Sequence, residues 1–317
     1  MNPPSPVPPP RIVVLGSLNM DLVVRVPHAP AAGETLQGHS IHSIPGGKGG
    51  NQAVSCARQG ALVRLVGCIG ADANGEALRH ALHEDGIDTS AVTTDASAPT
   101  GTALVMVEDT GQNRIVVIAG ANARVEIDDV ALAAELQDAA FLIAQFETPI
   151  VQVIRAITAA HHAGCRVLLN PSPVQPIDDP LWPLIDTLVV NEVEAQTLAG
   201  RPVQSPRDAA MAGRSMLERG VARVVVTLGA SGAVAVDADG ARHHPALPVK
   251  TIDTTAAGDT FLGALAVTLA SGASLDEGVR LGIRAAALCI TQSGAQPSIP
   301  LRSAVLCSAL PPDWTLL

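Results

Sequence analysis

The sequence predicts a doubly wound α/β fold: a mostly parallel sheet with helices on both faces, carrying a small projecting β-sheet as a lid. Three observations lead there. Short β-branched runs alternate with Ala-rich helical stretches along most of the 317 residues. The runs are continuously apolar, as strands buried on both faces are. Two pairs of runs follow one another with no helix between them, which marks a separate antiparallel element.

Taken in order, residues 1–10 read Met-Asn-Pro-Pro-Ser-Pro-Val-Pro-Pro-Pro. This is a proline-rich, disordered tail in extended form, lacking the basic and apolar regions of a secretory leader. The folded unit is expected over 11–317. Its first strand is 12–15, and the parallel series continues with 62–66, 141–144, 166–169, 187–190 and 223–227. The lid is expected from about 21–44 and 100–120. There, strand 21–26 pairs with 35–41, and 102–107 pairs with 113–118 through the hairpin loop Glu108-Asp109-Thr110-Gly111-Gln112.

Composition removes several function classes. Aromatic residues make up 2% of the chain, with no Tyr, and the formal charge is -10. That excludes base-stacking platforms and a broad basic nucleic-acid surface. The apolar runs are far shorter than the roughly 20 residues that span a bilayer. Cys56, Cys68, Cys165, Cys289 and Cys307 are odd in number and form no Cys-x-x-Cys pair, the pattern of free thiols in a reducing cytoplasm. The histidines, including His161-His162 and His243-His244, show no zinc-site spacing and are read as mostly surface groups.

Five short motifs carry possible chemistry, each with a plainer reading beside it. Pro45-Gly46-Gly47-Lys48-Gly49-Gly50-Asn51-Gln52 opens a helix and lets backbone amides approach a polar ligand, or serves only as a flexible turn. It is neither a Walker A loop nor a Gly-x-Gly-x-x-Gly fingerprint. Asp253-Thr254-Thr255-Ala256-Ala257-Gly258-Asp259 precedes an apolar helix. Its amides at Ala256, Ala257 and Gly258 form an anion hole on the helix dipole, with Asp259 placed to take a proton from a hydroxyl, or Asp259 is merely a first-turn acid. Asn191 and Glu194 organise magnesium and nucleotide phosphates or are simply a capping box, whose spacing Ser274 and Glu277 share as a cap alone. The run Thr227, Leu228, Gly229, Ala230, Ser231 and Gly232 is a nucleotide-binding turn or a hairpin. Glu147 follows a core strand, where ligands of open α/β sheets bind, while Asn19 and Asp21 suit polyhydroxyl recognition or a turn.

The order of these motifs resembles the PfkB-type carbohydrate kinases, from about Arg11 to Pro300. Its bearers are Gly16-Ser17-Leu18-Asn19-Met20-Asp21, the Gly47–Asn51 turn, Asn191-x-x-Glu194, Asp253 to Asp259, and Gly294-Ala295-Gln296-Pro297-Ser298. The resemblance implies ATP-dependent phosphorylation of D-ribose at its 5-hydroxyl, with Asp259 as general base and the 256–259 backbone stabilising the transferring phosphoryl group. It assigns the sugar to Asn19, Asp21, Gly47, Lys48, Gly49, Gly50, Asn51, Glu147 and Asp259. ATP falls to Asn191, the 227–232 run, Gly258 and Asp259. Mg²⁺ is organised through water by Glu194, and an activating K⁺ site is implied at Asp253, Thr255, Cys289, Gln292, Gly294 and Ser298. Ile283 is a departure, because the family often carries a polar residue there near adenine.

A homodimer through the lid is expected from its unpaired strand edges. Three other functions compete. A related kinase for deoxyribose, another sugar or a nucleoside would share the motifs, although a nucleoside kinase usually grips its base with aromatics. A non-catalytic sugar-binding protein on the same fold has no use for Asp259 beside Gly258. A nicotinamide enzyme lacks its glycine fingerprint after Val14.

Overall fold

The computed structural model describes residues 8–317, so most of the proline-rich tail (1–7) lies outside the described residues. Strand β1 (Arg11–Leu15) enters the interior of the main sheet, and β2 (Asn19–Val26) leaves it for a second sheet with β3 (Ser40–Gly46). Helix α1 (Lys48–Arg58), β4 (Leu62–Gly70), α2 (Ala73–Glu84) and β5 (Val92–Asp95) build the main sheet to one side of β1. The chain then returns to the second sheet with β6 (Gly101–Glu108) and β7 (Asn113–Ile118).

Beyond these come α3 (Asp129–Leu136), β8 (Phe141–Gln145), α4 (Ile150–His162), β9 (Arg166–Asn170), β10 (Thr187–Asn191), α5 (Glu192–Ala199), α6 (Pro206–Leu217) and β11 (Arg223–Thr227). The last elements are β12 (Ala233–Asp237), β13 (Gly240–His244), α7 (Ala257–Ala270), α8 (Leu275–Cys289), α9 (Arg302–Cys307) and β14 (Thr315–Leu316).

The main sheet has ten strands in the order β14-β13-β12-β11-β10-β9-β8-β1-β4-β5. Pairing is parallel from β5 to β11 and antiparallel from β11 to β14. The apolar runs behave as expected for two covered faces. Val13 and Leu15 of β1 enter a core with Leu132, Val153, Ile157 and Met216 from α3, α4 and α6. Ile12 and Val14 point the other way, to Ala53, Val54, Phe261, Leu265 and Val279 from α1, α7 and α8. Strand order reverses between β1 and β8, and the crevice beyond their carboxyl ends is where such sheets bind ligands.

The second sheet has the order β3-β2-β6-β7, and β6–β7 is the expected hairpin. One boundary differs: residues 35–39 are not strand, because the β2–β3 ladder runs from Arg25↔Ser40 to Asn19↔Gly46. Pro45-Gly46 reads as a turn in sequence, yet β3 is an edge strand, where proline is tolerated. Strands β5, β12, β13 and β14 were not expected from the sequence, since Val92–Asp95 and Gly240–His244 carry polar residues that break the apolar run.

His244 also corrects the surface reading. It is fully buried, with Nε2 2.8 Å from Asp276 Oδ1. Arg242 donates to Asp276 and Asp237 beside it, tying the β12–β13 hairpin to the start of α8. Burial pushes the His244 imidazole below its ordinary range despite the Asp276 carboxylate. His161 and His162, by contrast, are exposed as expected.

Candidate active site

Three chain segments meet at the β1–β8 switch point. The first is the link from β1 into β2. Ser17 is buried there, and its Oγ donates to Glu147 Oε2 at 2.5 Å, just past β8. The second is the α1 start. Gly47 has φ 84°, a conformation that favours glycine, and a Cβ on it would press on the Ser17–Asn19 backbone. The same crowding holds at Gly49, whose Cα packs on Gly16 and Ser17. Helix α1 therefore begins against β1, and its first amides face Glu147 Oε2 and Ser17 Oγ at 3.4 and 3.5 Å.

The third segment is the start of α7. Ala256 is the one non-glycine residue with positive φ among the described residues, at 59°. No side chain caps this helix. The Ala257 amide reaches Thr254 O at 3.2 Å and the Thr260 amide reaches Ala256 O, whereas those of Gly258 and Asp259 have no acceptor among the described residues. A Cβ on Gly258 would meet nothing within 4 Å, so open space lies before this amide cluster. Oriented amides of this kind, at the positive end of a helix dipole, attract an anion.

Asp259 joins the second and third segments. Its Oδ2 accepts from Asn51 Nδ2 at 3.0 Å and its Oδ1 from Gln52 Nε2 at 2.9 Å. Further along, Ser55 Oγ donates to Thr260 O, and Gly263 leaves room for Ser55, so α1 and α7 pack tightly. The carboxylate faces other charges. Burial, followed by the Glu147 and Asp259 carboxylates, pushes Asp21 up to about 7. Burial alone would lower the Lys48 ammonium, yet Asp259, Glu147 and Glu194 around it hold it above its ordinary value. Lysine 48 thus sits amid three acids from three elements, a cation placed for polyanionic chemistry.

The structure brings Asn19, Asp21, Lys48, Asn51, Glu147 and Asp259 into one crevice, as the sequence reading requires. Gly46 must lack a side chain, because a Cβ would land on the Asp21 carboxylate. Asn191 and Glu194 form a complete capping box at the start of α5, so their plainer reading is realised. The box occupies Asn191 Oδ1 and Glu194 Oε2, leaving Asn191 Nδ2 and Glu194 Oε1 for other partners. Thr227 ends β11, and 228–232 is a tight turn into antiparallel β12. Ser274 and Glu277 also form a capping box.

Around 253–298, Asp253 accepts from the Thr255 amide and hydroxyl and from the Gly294 amide. Burial raises the Asp253 carboxyl, but these hydrogen bonds win and hold it below its ordinary range. Cys289 lies 3.6 Å from Thr255 O and 3.0 Å from Ser298 Oγ. Gln292 contributes its amide to Cys289 O, and its side chain has no hydrogen-bond partner among the described residues. Ile283 packs into the core against α7.

Sequence reading missed Ser17, Gln52, Gln145 and Asn122. Asn122 brackets the Leu18 peptide and donates to Asn19 Oδ1 at 2.8 Å, fixing the orientation of that amide. The available signal for Gln145 was a polar residue ending the otherwise apolar run Phe141–Gln145.

Comparisons agree with this geometry. Residues 9–302 match the family described as pfkB family carbohydrate kinase. A ribokinase from Haemophilus influenzae is 40% identical over 296 residues, covering 93% of this chain and 97% of that protein. One from Mus musculus is 38% identical, covering 92% of each. The structure of Arabidopsis thaliana ribokinase complexed with ribose and ATP superposes with a TM-score of 0.88 at 34% identity, covering 95% of this chain and 98% of that one. No helix among the described residues is long and apolar enough to cross a membrane. With a family match over nearly the whole folded chain and relatives at these identities, this chain belongs to the pfkB family of carbohydrate kinases.

Proposed function

We propose that this kinase transfers the γ-phosphoryl group of ATP to the 5-hydroxyl of D-ribose. The observation that carries the reading is the Asp259 carboxylate at the start of uncapped α7, held by the same turn of α1 that follows the glycine loop. Support for ribose and ATP comes from relatives named ribokinase and from the Arabidopsis complex.

In this reading the sugar lies between Asn19, Asp21, Gly47, Lys48, Gly49, Gly50, Asn51 and Glu147, with its 5-hydroxyl at Asp259. Asp259 takes the hydroxyl proton as the oxygen attacks. The open amides of Gly258 and Asp259, within the 256–259 backbone, meet the charge on the equatorial phosphoryl oxygens, and the Lys48 ammonium adds a second donor. Asn191 Nδ2 and the Thr227, Leu228, Gly229, Ala230, Ser231 and Gly232 turn contact ATP. Ile283, packed in the core, leaves base recognition to other groups. No covalent enzyme intermediate is needed, since positioning and charge neutralisation supply the catalysis.

Two cations fit the donor set. Mg²⁺ when bound supplies neutralisation of the β- and γ-phosphate oxygens, and the unshared Glu194 Oε1 would hold one of its waters. Oxygens of Asp253 and Thr255 face the Cys289–Ser298 segment, with Gln292 and Gly294 in the same loop. As a hard cation, K⁺ would take these oxygens rather than the Cys289 sulfur. A homodimer is supported by β7, an edge strand whose Ile115, Val116, Val117 and Ile118 are each more than half exposed. A cytoplasmic setting is supported by five free cysteines.

The test is an ATP-coupled activity screen over pentoses, hexoses and nucleosides, each with K⁺ or a large organic cation. Ribose as preferred substrate, faster with K⁺, is the expected result. Preference for deoxyribose, another sugar or a nucleoside would replace the ribose assignment, and equal rates with either cation would remove the K⁺ site. Absence of phosphorylation beside tight sugar binding would favour a non-catalytic role. Sedimentation of the purified protein at high concentration checks the dimer.

A further inference from the structure

A layer of side-chain amides lies beneath the Asp259 carboxylate. Gln52 and Gln145 are both fully buried, an expensive place for a primary amide, and Gln145 Oε1 has no hydrogen-bond partner among the described residues. Gln52 Nε2 donates to Asp259 Oδ1 at 2.9 Å, and Gln52 Oε1 accepts from Gln145 Nε2 at 2.5 Å. Gln145 ends β8 in register with Asn170, which ends β9; Asn170 Oδ1 is 3.4 Å from Gln52 Nε2, and Asn170 Nδ2 donates to Val189 O. The backbone keeps room for this arrangement, because a Cβ on Gly16 would strike Gln145 Oε1. With its oxygen held by Gln145, the Gln52 amide presents its NH₂ to Asp259.

We propose that Gln52, oriented by Gln145, is a positioning residue for phosphoryl transfer: it fixes the Asp259 carboxylate toward the sugar hydroxyl. The inference rests on Asp259 acting as the base. The carboxylate sits among other titratable groups. Asp21 on β2 faces Asp259 as a like charge, Lys48 on α1 as an opposite one, and Cys289 on α8 as a thiol. Asn51 gives the other oxygen a hydrogen bond but also belongs to the sugar loop. An Asn51 amide that turns to the sugar leaves Gln52 as the fixed donor to the carboxylate.

The experiment uses the full chain carrying Gln52→Met, Gln145→Met, both together, or Asp259→Asn. Sugar KM, ATP KM, kcat across pH, and thermal unfolding are read for each. For Gln52→Met the expected result is kcat lower by about 10- to 100-fold. Both KM values stay within about threefold. Gln145→Met lowers kcat by less, and the double variant resembles Gln52→Met because the two act through one chain of hydrogen bonds. An unchanged kcat in folded Gln52→Met, or a change confined to KM, overturns the inference. Should Gln52→Met fail to fold, Gln145→Met carries the same two outcomes. Turnover retained by Asp259→Asn defeats the base assignment itself; turnover lost there, with kcat unchanged in the glutamine variants, defeats only the role given to Gln52.

Discussion

The starts of α5 and α7 solve the same problem in opposite ways. Each helix opens near the carboxyl end of the main sheet with several amides lacking intrahelical partners. At α5 the Asn191–Glu194 capping box closes two of them with good geometry. At α7 the preceding residue is Ala256 in a left-handed conformation, no side chain intervenes, and the Gly258 and Asp259 amides stay open. A side-chain cap is worth about 1 kcal/mol, and a left-handed alanine costs about 1–2 kcal/mol. Stability given up at one helix start and kept at another marks where the protein reserves its amides for a ligand.

Substitutions at the two helix starts should separate activity from stability, and Asp259→Asn has the largest expected effect. It should lower turnover by roughly 10²- to 10⁴-fold with ribose binding retained, read by coupled assay and calorimetry. Near-normal turnover would break the contrast at once. Gly258→Ala comes next. Its methyl enters open space, so the melting temperature should hold or rise slightly with the better helix propensity. The methyl nevertheless occupies the phosphoryl approach, and kcat/KM for ATP should fall by about tenfold.

Asp21→Asn addresses the charge that this open end tolerates. The Asp21 carboxyl moves from 3.8 up to about 7 on folding. Below pH 4 both states hold the proton, while between 4 and 7 the unfolded chain releases it more readily, so ligand-free stability declines over that window and levels off above it. The Asn variant should remove the decline, by at most about 4 kcal/mol, as seen in melting temperatures from pH 4.5 to 7.5. The smallest effect belongs to a capped start remote from the chemistry: Ser274→Ala should cost about 1 kcal/mol of stability with kcat unchanged.

The same contrast explains what could be read from the sequence. A capping box is local, three residues apart, so Asn191/Glu194 and Ser274/Glu277 were legible from spacing. The parallel strands were legible because two-sided burial forces continuous apolar runs such as Arg223–Thr227. Gly240–His244 escaped because Arg242 and His244 are buried through partners on α8, information that no local pattern carries. Asp259 was found through the order of motifs rather than its own surroundings. Gln52 was passed over for its neighbour Asn51, and its partners lie 93 and 207 residues away. Networks closed over such separations leave no periodicity to detect.

The tight packing of α1 on α7 through Ser55 and Gly263 divides the labour of a turnover. The acceptor loop and the base ride on one stiff body, so the distance between them cannot serve as the gate for sugar exchange. On the proposed reading that task would fall to the second sheet, whose β2 and β6 begin as neighbours at Asn19 and Gly101 beside the proposed sugar residues and whose outer strand is solvent-exposed. Solvent viscosity should therefore slow kcat wherever sheet motion limits the cycle, whereas loosening the Ser55–Gly263 contact should slow the chemical step and leave that viscosity dependence weaker.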